Sequence, residues 1–462
     1  MSETPTSPPA QVSAPPPIHS YADAERALLA RWPETRLEPS LDRIAAFVEL
    51  LGEPQRAYPV VHLTGTNGKT STSRMVDTLV RALDLRTGRF TSPHVESMTE
   101  RISLDGERLT EEQFLAAYND VAGIAALADE EGSQPLSFFE MMVGMAYAAF
   151  ANAPVDVAVV EVGMGGSWDA TNVADASVAV ILPVAVDHSA YLGARPVDIA
   201  REKVGIIKPG SRVVCAAQAE DVEAVVAERA TEVGATVLWE GRDFGVSQRV
   251  PAVGGQMLRL QGLRAEYDEV FLPLYGAHQG QNAAVALAAV EAFVGADPLD
   301  AELVRAAFEE VTSPGRLEII RRSPAIVLDA AHNPHGAAAV VHALEDSFTF
   351  DPLVGVVAVM TDKDYEGLLA AFEPVMAAIV CTQNGTPRAL PADRLAEVAR
   401  GIFGIDRVYL APRLDDAIEQ AATLAEEGGL FGEAIGSGGV LITGSVVTVG
   451  EARTMLKRRE RA

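Results

Sequence analysis

The chain is 462 residues long, 48% apolar and 22% charged, with a net charge of −27. That length exceeds what one hydrophobic core usually organises and predicts two domains, while no apolar run approaches the ~20 residues of a membrane-spanning helix. The acidic balance argues against a nucleic-acid partner, so any anionic ligand must be drawn in by a few local cations and aimed backbone amides.

Met1 to Ile18 hold six prolines among small and polar residues, a mixture that cannot bury enough apolar surface to offset its ordering entropy. Residues 1–18 are expected to form a disordered tail, without the basic start and apolar stretch of a secretory signal. The two cysteines, Cys215 and Cys381, each lie inside an apolar run. Buried thiols in a reducing cytoplasm fit that pattern; a disulfide framework does not.

From Tyr58 onward, short apolar β-branched runs alternate with longer amphipathic ones, which predicts a parallel sheet wrapped by helices. Runs at 59–63, 155–160, 178–181 and 212–215 read as continuously apolar, as strands covered on both faces should. After a helical pattern at 283–294, the turn formers Thr312-Ser313-Pro314-Gly315-Arg316 mark a boundary. A second strand series follows at 325–328, 353–359, 377–381, 407–410 and 440–443, separated by helical stretches such as 336–345. The expected fold is α/β: a P-loop-type, mostly parallel sheet domain at 19–312, a linker at 313–318 and a Rossmann-like α/β domain at 319–462.

The run at 59–63, then Thr64-Gly65-Thr66-Asn67-Gly68-Lys69-Thr70, then a helix with Met75, Val76, Leu79, Val80 and Leu83 on one face, form the strand-loop-helix context of a P-loop. Glycines let backbone amides turn toward phosphate oxygens, the helix N-terminus adds positive potential, and Lys69 brings a mobile charge. Thr70 is placed to reach a Mg²⁺. The strict pattern has a glycine where this chain has Leu63, so the loop is a variant.

Ligands of open α/β sheets bind at the carboxyl ends of strands. Glu161, followed by Gly163, Gly165 and Gly166, and the pair Asp187-His188 stand at such ends. A carboxylate and a neutral imidazole can both ligate a divalent cation carried by a nucleotide. By residue type alone, Glu161 also reads as a capped strand end, His188 as a hydrogen-bonded core histidine, and Lys203 as a solvated helix charge.

These residues, together with Thr91-Ser92-Pro93-His94, Ser137-Phe138-Phe139-Glu140, Asp169-Ala170-Thr171-Asn172, Arg201-Glu202-Lys203, Pro314-Gly315-Arg316 and the stretch from Asp329 to Gly336, resemble folylpolyglutamate synthase and its bifunctional relative dihydrofolate synthase, of the Mur-ligase-like superfamily. The resemblance runs from about Leu41 to Leu456. It implies an ATP-dependent ligase that adds L-glutamate to folates, and to 7,8-dihydropteroate, through an acyl phosphate. It also implies that Ser92, Glu161 and His188 hold Mg²⁺, and that Asn67, Gly68, Lys69, Thr70, Asn282, Arg316 and Asp329 bind ATP between two closing domains. The family's lysine matching Lys203 is carbamylated, so the resemblance implies the same modification of Lys203. Pro39, Ser40, Leu41, Ser137, Phe138, Phe139, Glu140, Trp168, Asp169 and Ala170 are implied for the pteroate end, with Phe139 stacking on the pterin, and His332 and Ser445 for the glutamate and phosphate side. Lys69, Lys203, Arg316 and His332 are the implied catalytic groups. Only small-molecule partners are expected of a monomer: ATP, glutamate and a folate or dihydropteroate.

The chain departs from the family at Ser167-Trp168, where an arginine and a leucine usually stand, at Thr70 in place of a glycine, and after Gly444, where a tyrosine is often found. Two other readings remain at this point. One is a cell-wall Mur-type amino-acid ligase, against which stand Thr91-Ser92-Pro93-His94 and the lack of a UDP-binding domain before the phosphate loop. The other is a P-loop NTPase switch, which would hydrolyse ATP without glutamate or a pteroate.

Overall fold

Strands buried on both faces need apolar side chains at every position, and the first sheet shows how this chain meets that requirement. In the computed structural model, which describes residues 17–33, 36, 38–295, 297–426 and 438–461, eight strands form this sheet. They are β1 (Val60–Thr64), β2 (Thr87–Phe90), β3 (Ile102–Leu104), β4 (Glu107–Arg108), β5 (Val157–Glu161), β6 (Val178–Ile181), β7 (Arg212–Cys215) and β8 (Thr236–Trp239). Their order is β4-β3-β2-β5-β1-β6-β7-β8. The six strands from β2 to β8 in that order run parallel, and β3 and β4 close one edge antiparallel.

Alternate residues of these strands feed different cores. Val61, Leu63, Val157, Val159, Val180 and Val214 pack with the helices Lys69–Ala82 and Ala277–Val294. On the opposite face, Val60, Ala158 and Val160 meet the helices Asp42–Leu50, Glu111–Glu131 and Phe138–Asn152. Farther along that face, Ala179, Ile181, Val213 and Cys215 meet Pro196–Lys203 and Glu220–Val233. Each fully buried Val or Leu contributes roughly 1.5–3 kcal/mol, so a polar residue inside such a strand needs a specific reason.

Three antiparallel strands, β9 (Gly245–Ala252), β10 (Gly255–Gln261) and β11 (Glu266–Leu272), form a small second sheet that the search for continuous apolar runs overlooks. In β10 buried and exposed residues alternate, because one face packs and the other is solvated. Leu258, Leu260, Val270 and Leu272 pack on the helix Ala277–Val294, which is consequently buried almost all round.

The third sheet contains β12 (Glu318–Arg322), β13 (Ala325–Leu328), β14 (Leu353–Val357), β15 (Ala378–Cys381), β16 (Val408–Leu410) and β17 (Gly439–Thr443), in the order β12-β13-β17-β14-β15-β16. Only β12 runs antiparallel to its neighbour. The α/β class with a parallel-rich first sheet and a second mixed α/β unit is as the sequence predicts. Cys215 and Cys381 are buried free thiols, and burial raises the pKa of both.

The expected tail at 1–16 lies outside the described residues. Ile18, read as the tail's last residue, is a correction: its backbone amide and carbonyl bond the Asn119 side chain at 3.0 and 2.9 Å, so the protein satisfies both polar groups. Among the described residues, no helix is long and apolar enough to cross a membrane.

Candidate active site

The helix Lys69–Ala82 begins without a side-chain cap, unlike Phe138–Asn152 and Pro334–Ser347, which are capped by Ser137 and Asn333. Its N-cap is Gly68 at φ +87°, a left-handed conformation that glycine adopts without strain. A side chain there would also collide with Asn282, whose Oδ1 lies 2.7 Å from where a Cβ would stand. The first-turn amides are thus free to receive an anion. Behind them, Lys69 Nζ and Lys203 Nζ both donate to the Gly65 carbonyl, at 3.0 and 2.9 Å. Burial lowers the pKa of both amines, and with the nearby Lys69 charge it brings Lys203 down to about 7.

Glu161, at the end of β5, is 1% exposed and has no ion-pair partner among the described residues. Its carboxylate accepts from Thr70 Oγ1, at 3.0 Å to each oxygen, and from the Ser92 backbone amide. Burial raises its pKa, opposed by the charge of Lys69. His188 sits at φ +50° in the loop after β6, and burial lowers its pKa to about 4, so its imidazole is neutral. A buried, unpaired carboxylate, a neutral imidazole and a serine hydroxyl suit a divalent cation. No cluster of three or more His, Cys, Asp or Glu suited to a metal occurs among the described residues. An ion here would complete its shell with water and phosphate oxygens, as Mg²⁺ commonly does.

The opposite wall comes from the C-terminal side. Among the described residues the Arg316 guanidinium makes one hydrogen bond, from Nη1 to the Gly315 carbonyl at 3.1 Å. Asp329, just past β13, accepts from the amides of Leu317 and Ala331 at 2.9 and 2.8 Å, and burial raises its pKa. His332 lies between the Ala330 carbonyl, 3.0 Å from Nδ1, and the Asp187 carboxylate, 3.4 Å from Nε2. Three further residues join here that the sequence-derived site omits. Lys363 Nζ is 2.7 Å from Asp187 and 3.4 Å from His188 Nε2, Asn333 Nδ2 is 3.0 Å from Asp187, and His335 Nδ1 is 2.9 Å from Asn67 Nδ2. Burial alone would raise the Asp187 carboxyl, but His332 and Lys363 hold it well below the usual carboxylate range. Lys363 follows β14 by a few residues, so the strand-end rule could have found it.

Apart from Lys363 and Asn333, these groups line one cavity of about 590 Å³, bounded by Gly65 to Ser71, Ser92, Glu161, Asp187, His188, Lys203, Asn282, Arg316, Asp329, His332 and His335. The residues expected at the pteroate end stand outside that lining. Ser137 and Glu140 form a capping box, and Glu140 is ion-paired with Arg43 at 2.9 Å. Asp169 caps a short turn at 170–173 and accepts from the Met164 amide, while the Trp168 amide bonds Glu202. Ser40 bonds the Asp42 amide, Leu41 caps the helix Asp42–Leu50, and Phe138 and Ala170 are buried beside that helix. Phe139 lies against Gly163 and 5.8 Å from the Phe90 ring. Ser445 bonds the Val447 amide, beside the lining residue Val446.

A phosphate loop on one parallel sheet facing strand ends of a second across a shared cavity is the layout of a Mur ligase. Residues 63–290 match the Mur ligase middle domain, and 315–446 match the Mur ligase glutamate ligase domain. The chain is 50% identical to the dihydrofolate synthase/folylpolyglutamate synthase of Mycobacterium tuberculosis, over 97% of this chain and 96% of that one. It superposes on the M. tuberculosis folylpolyglutamate synthase complexed with ADP with a TM-score of 0.91, at 50% identity, covering 94% and 98% of the two chains. On the bifunctional folylpolyglutamate synthase/dihydrofolate synthase of Yersinia pestis, complexed with AMPPNP and a Mn ion, the TM-score is 0.81 at 28% identity, covering 96% and 100%. The chain belongs to the dihydrofolate synthase/folylpolyglutamate synthase family. It is an ATP-dependent acid–amino-acid ligase.

Proposed function

We propose that this chain joins the amine of L-glutamate to the terminal carboxylate of a folate, and to that of 7,8-dihydropteroate, by way of an acyl phosphate, releasing ADP and phosphate. The observation that carries this reading is the cavity itself: Lys69 and the open helix N-terminus on one wall face Arg316, Asp329 and His332 on the other. Amide formation in water needs an activated acid, and a site that encloses nucleotide phosphates between cations can supply one.

The amides at Asn67 to Thr70 cradle the phosphates, Lys69 and Arg316 neutralise charge on the transferring phosphoryl group, and Asn282 and Asp329 orient the nucleoside. Ser92, Glu161 and His188 would hold Mg²⁺, which would supply further neutralisation of phosphate charge. His332 and Ser445 take the glutamate and phosphate side. Phe138, Phe139 and the segments around Pro39, Ser40, Leu41, Trp168, Asp169 and Ala170 form the pteroate end, with Ser137 and Glu140 holding the helix that carries Phe139. Lys203, with its amine brought down to about 7 by burial, is half neutral near pH 7 and suited to react with CO₂ to give a carbamate.

Units at 19–312 and 319–462, joined at 313–318, close over the nucleotide. Action as a monomer in the cytoplasm belongs to the same proposal. Phosphate release is the test, with ATP, glutamate and, in separate tubes, dihydropteroate, tetrahydrofolate or a UDP-linked peptide precursor. Release is expected with both pteroates and not with the UDP precursor. Release without glutamate or a pteroate would favour an NTPase switch and overturn this reading.

A further inference from the structure

Another contact between the two halves lies away from the Asp187 cluster. Arg453, on the C-terminal helix Val446–Arg461, places Nη1 2.6 Å from Glu96 and Nε 2.9 Å from Glu318. Its side chain is 14% exposed, against 20% for Glu96 and 24% for Glu318, so solvent screens these pairs only in part. Each carboxylate leads to the active site by a short path. Glu96 belongs to the loop that begins at Ser92, whose amides at Val95, Glu96 and Ser97 are gathered by Glu100 at 2.9, 3.0 and 3.0 Å. Gly450 of the same helix presses against the Val95 carbonyl. Glu318 accepts the Gly315 amide at 2.8 Å, immediately before Arg316.

We propose that Arg453 is a positioning residue that ties the loop bearing Ser92 to the turn bearing Arg316, so that both present their polar groups to the nucleotide phosphates together. The planar guanidinium suits this task because one group meets two carboxylates from different directions. Arg453 stands outside the lining of the nucleotide cavity. The inference rests on the proposed roles of Ser92 and Arg316, which act on phosphate groups already held by the loop at Gly65 to Thr70. Losing the tie should therefore harm the transition state more than nucleotide binding.

Arg453→Met, Glu96→Gln and the double variant provide the test, with Arg316→Ala as a separate probe of the underlying site. Arg453→Met is expected to lower kcat about tenfold while KM for ATP changes less than twofold. Hydrogen exchange at Val95, Glu96, Ser97 and Gly315 should quicken about tenfold, with β1 unchanged. Glu96→Gln should show a weaker form of the same split, and the double variant should be no worse than Arg453→Met. Glu96→Gln carries the test alone if Arg453→Met does not fold. Unchanged kcat and exchange, or exchange that quickens throughout the chain, would overturn the proposal. Loss of activity in Arg316→Ala alongside a normal Arg453→Met would overturn it while leaving the ligase reading intact. Normal activity in Arg316→Ala would instead count against the site on which it rests.

Discussion

The nucleotide cavity and the segments at Ser137 and Asp169 use the same polar residue types in opposite ways. In the cavity, the side chains of Lys69, Lys203 and Arg316 each have a single backbone carbonyl as hydrogen-bond partner among the described residues. Around Ser137 and Asp169 the groups satisfy one another: Glu140 accepts from Arg43 and the Ser137 amide, and Asp169 from Met164 and from both the amide and hydroxyl of Thr171. A buried cation with little compensation is expensive unless a ligand completes it, whereas a satisfied network stabilises the scaffold by itself. Unmet polar demand therefore marks where a ligand goes more sharply than residue type does.

The largest effect should follow from removing the incompletely partnered cation that stands at the open helix N-terminus. Lys69→Ala should lower ligase turnover by about 10³-fold, on the scale of losing one charged group from a phosphoryl-transfer site. Phosphate release under saturating ATP, glutamate and tetrahydrofolate measures this. Near-normal turnover would make Lys69 a scaffold residue like Asp169 and erase the contrast.

Next comes the cluster that joins the two halves. Lys363 and Asp187 are 11% and 9% exposed at their side chains, and the carboxylate would stay buried if the ammonium were removed. Lys363→Met should destabilise the protein by about 3 kcal/mol, and adding Asp187→Asn should recover part of that loss, because breaking one side of a buried pair costs more than replacing both. Chemical denaturation of the two variants decides it. Equal stability of both would show that the pair is solvated in practice.

That cluster also shows where the sequence stops being legible. Glu161 and His188 follow strands whose apolar runs are plain, so the strand-end rule finds them. Asp187 and Lys363 meet across 176 positions of chain, and no local pattern announces such a contact. The parallel strands were readable because both faces are buried. β10 was not, because Gln256, Arg259 and Gln261 interrupt its apolar residues, the last two facing outward. The buried helix Ala277–Val294 shows its helical pattern in sequence, but not that β9 to β11 would cover its far side.

Lys203 sharpens the comparison by pH. Its amine, near 7 when folded against 10.5 for an ordinary lysine, has a neutral fraction of about one half at pH 7 and about one tenth at pH 6. Carbamate formation takes the neutral amine and CO₂ and releases a proton, so at a fixed, sub-saturating CO₂ concentration the modified fraction, and turnover with it, should fall by at least about fivefold as pH drops from 7 to 6. Carbon-13 NMR of protein equilibrated with labelled bicarbonate should show one carbamate signal that Lys203→Arg removes. Turnover that is flat over this range, with no such signal, would mean that Lys203 acts as an unmodified amine.

The smallest effect belongs to the satisfied region. Ser137 Oγ accepts the Glu140 amide at 3.1 Å, and Glu140 returns the bond to the Ser137 amide at 2.7 Å, closing the first turn of Phe138–Asn152. Removing such a cap typically costs about 1 kcal/mol. Ser137→Ala should therefore lower unfolding stability by about that amount while KM for tetrahydrofolate stays within about threefold, because Phe139 remains on the same helix. A KM rise of tenfold or more at unchanged stability would show the hydroxyl reaching a ligand. Ser137 would then belong with the incompletely partnered groups of the cavity, and the line between scaffold and site would move to include the start of this helix.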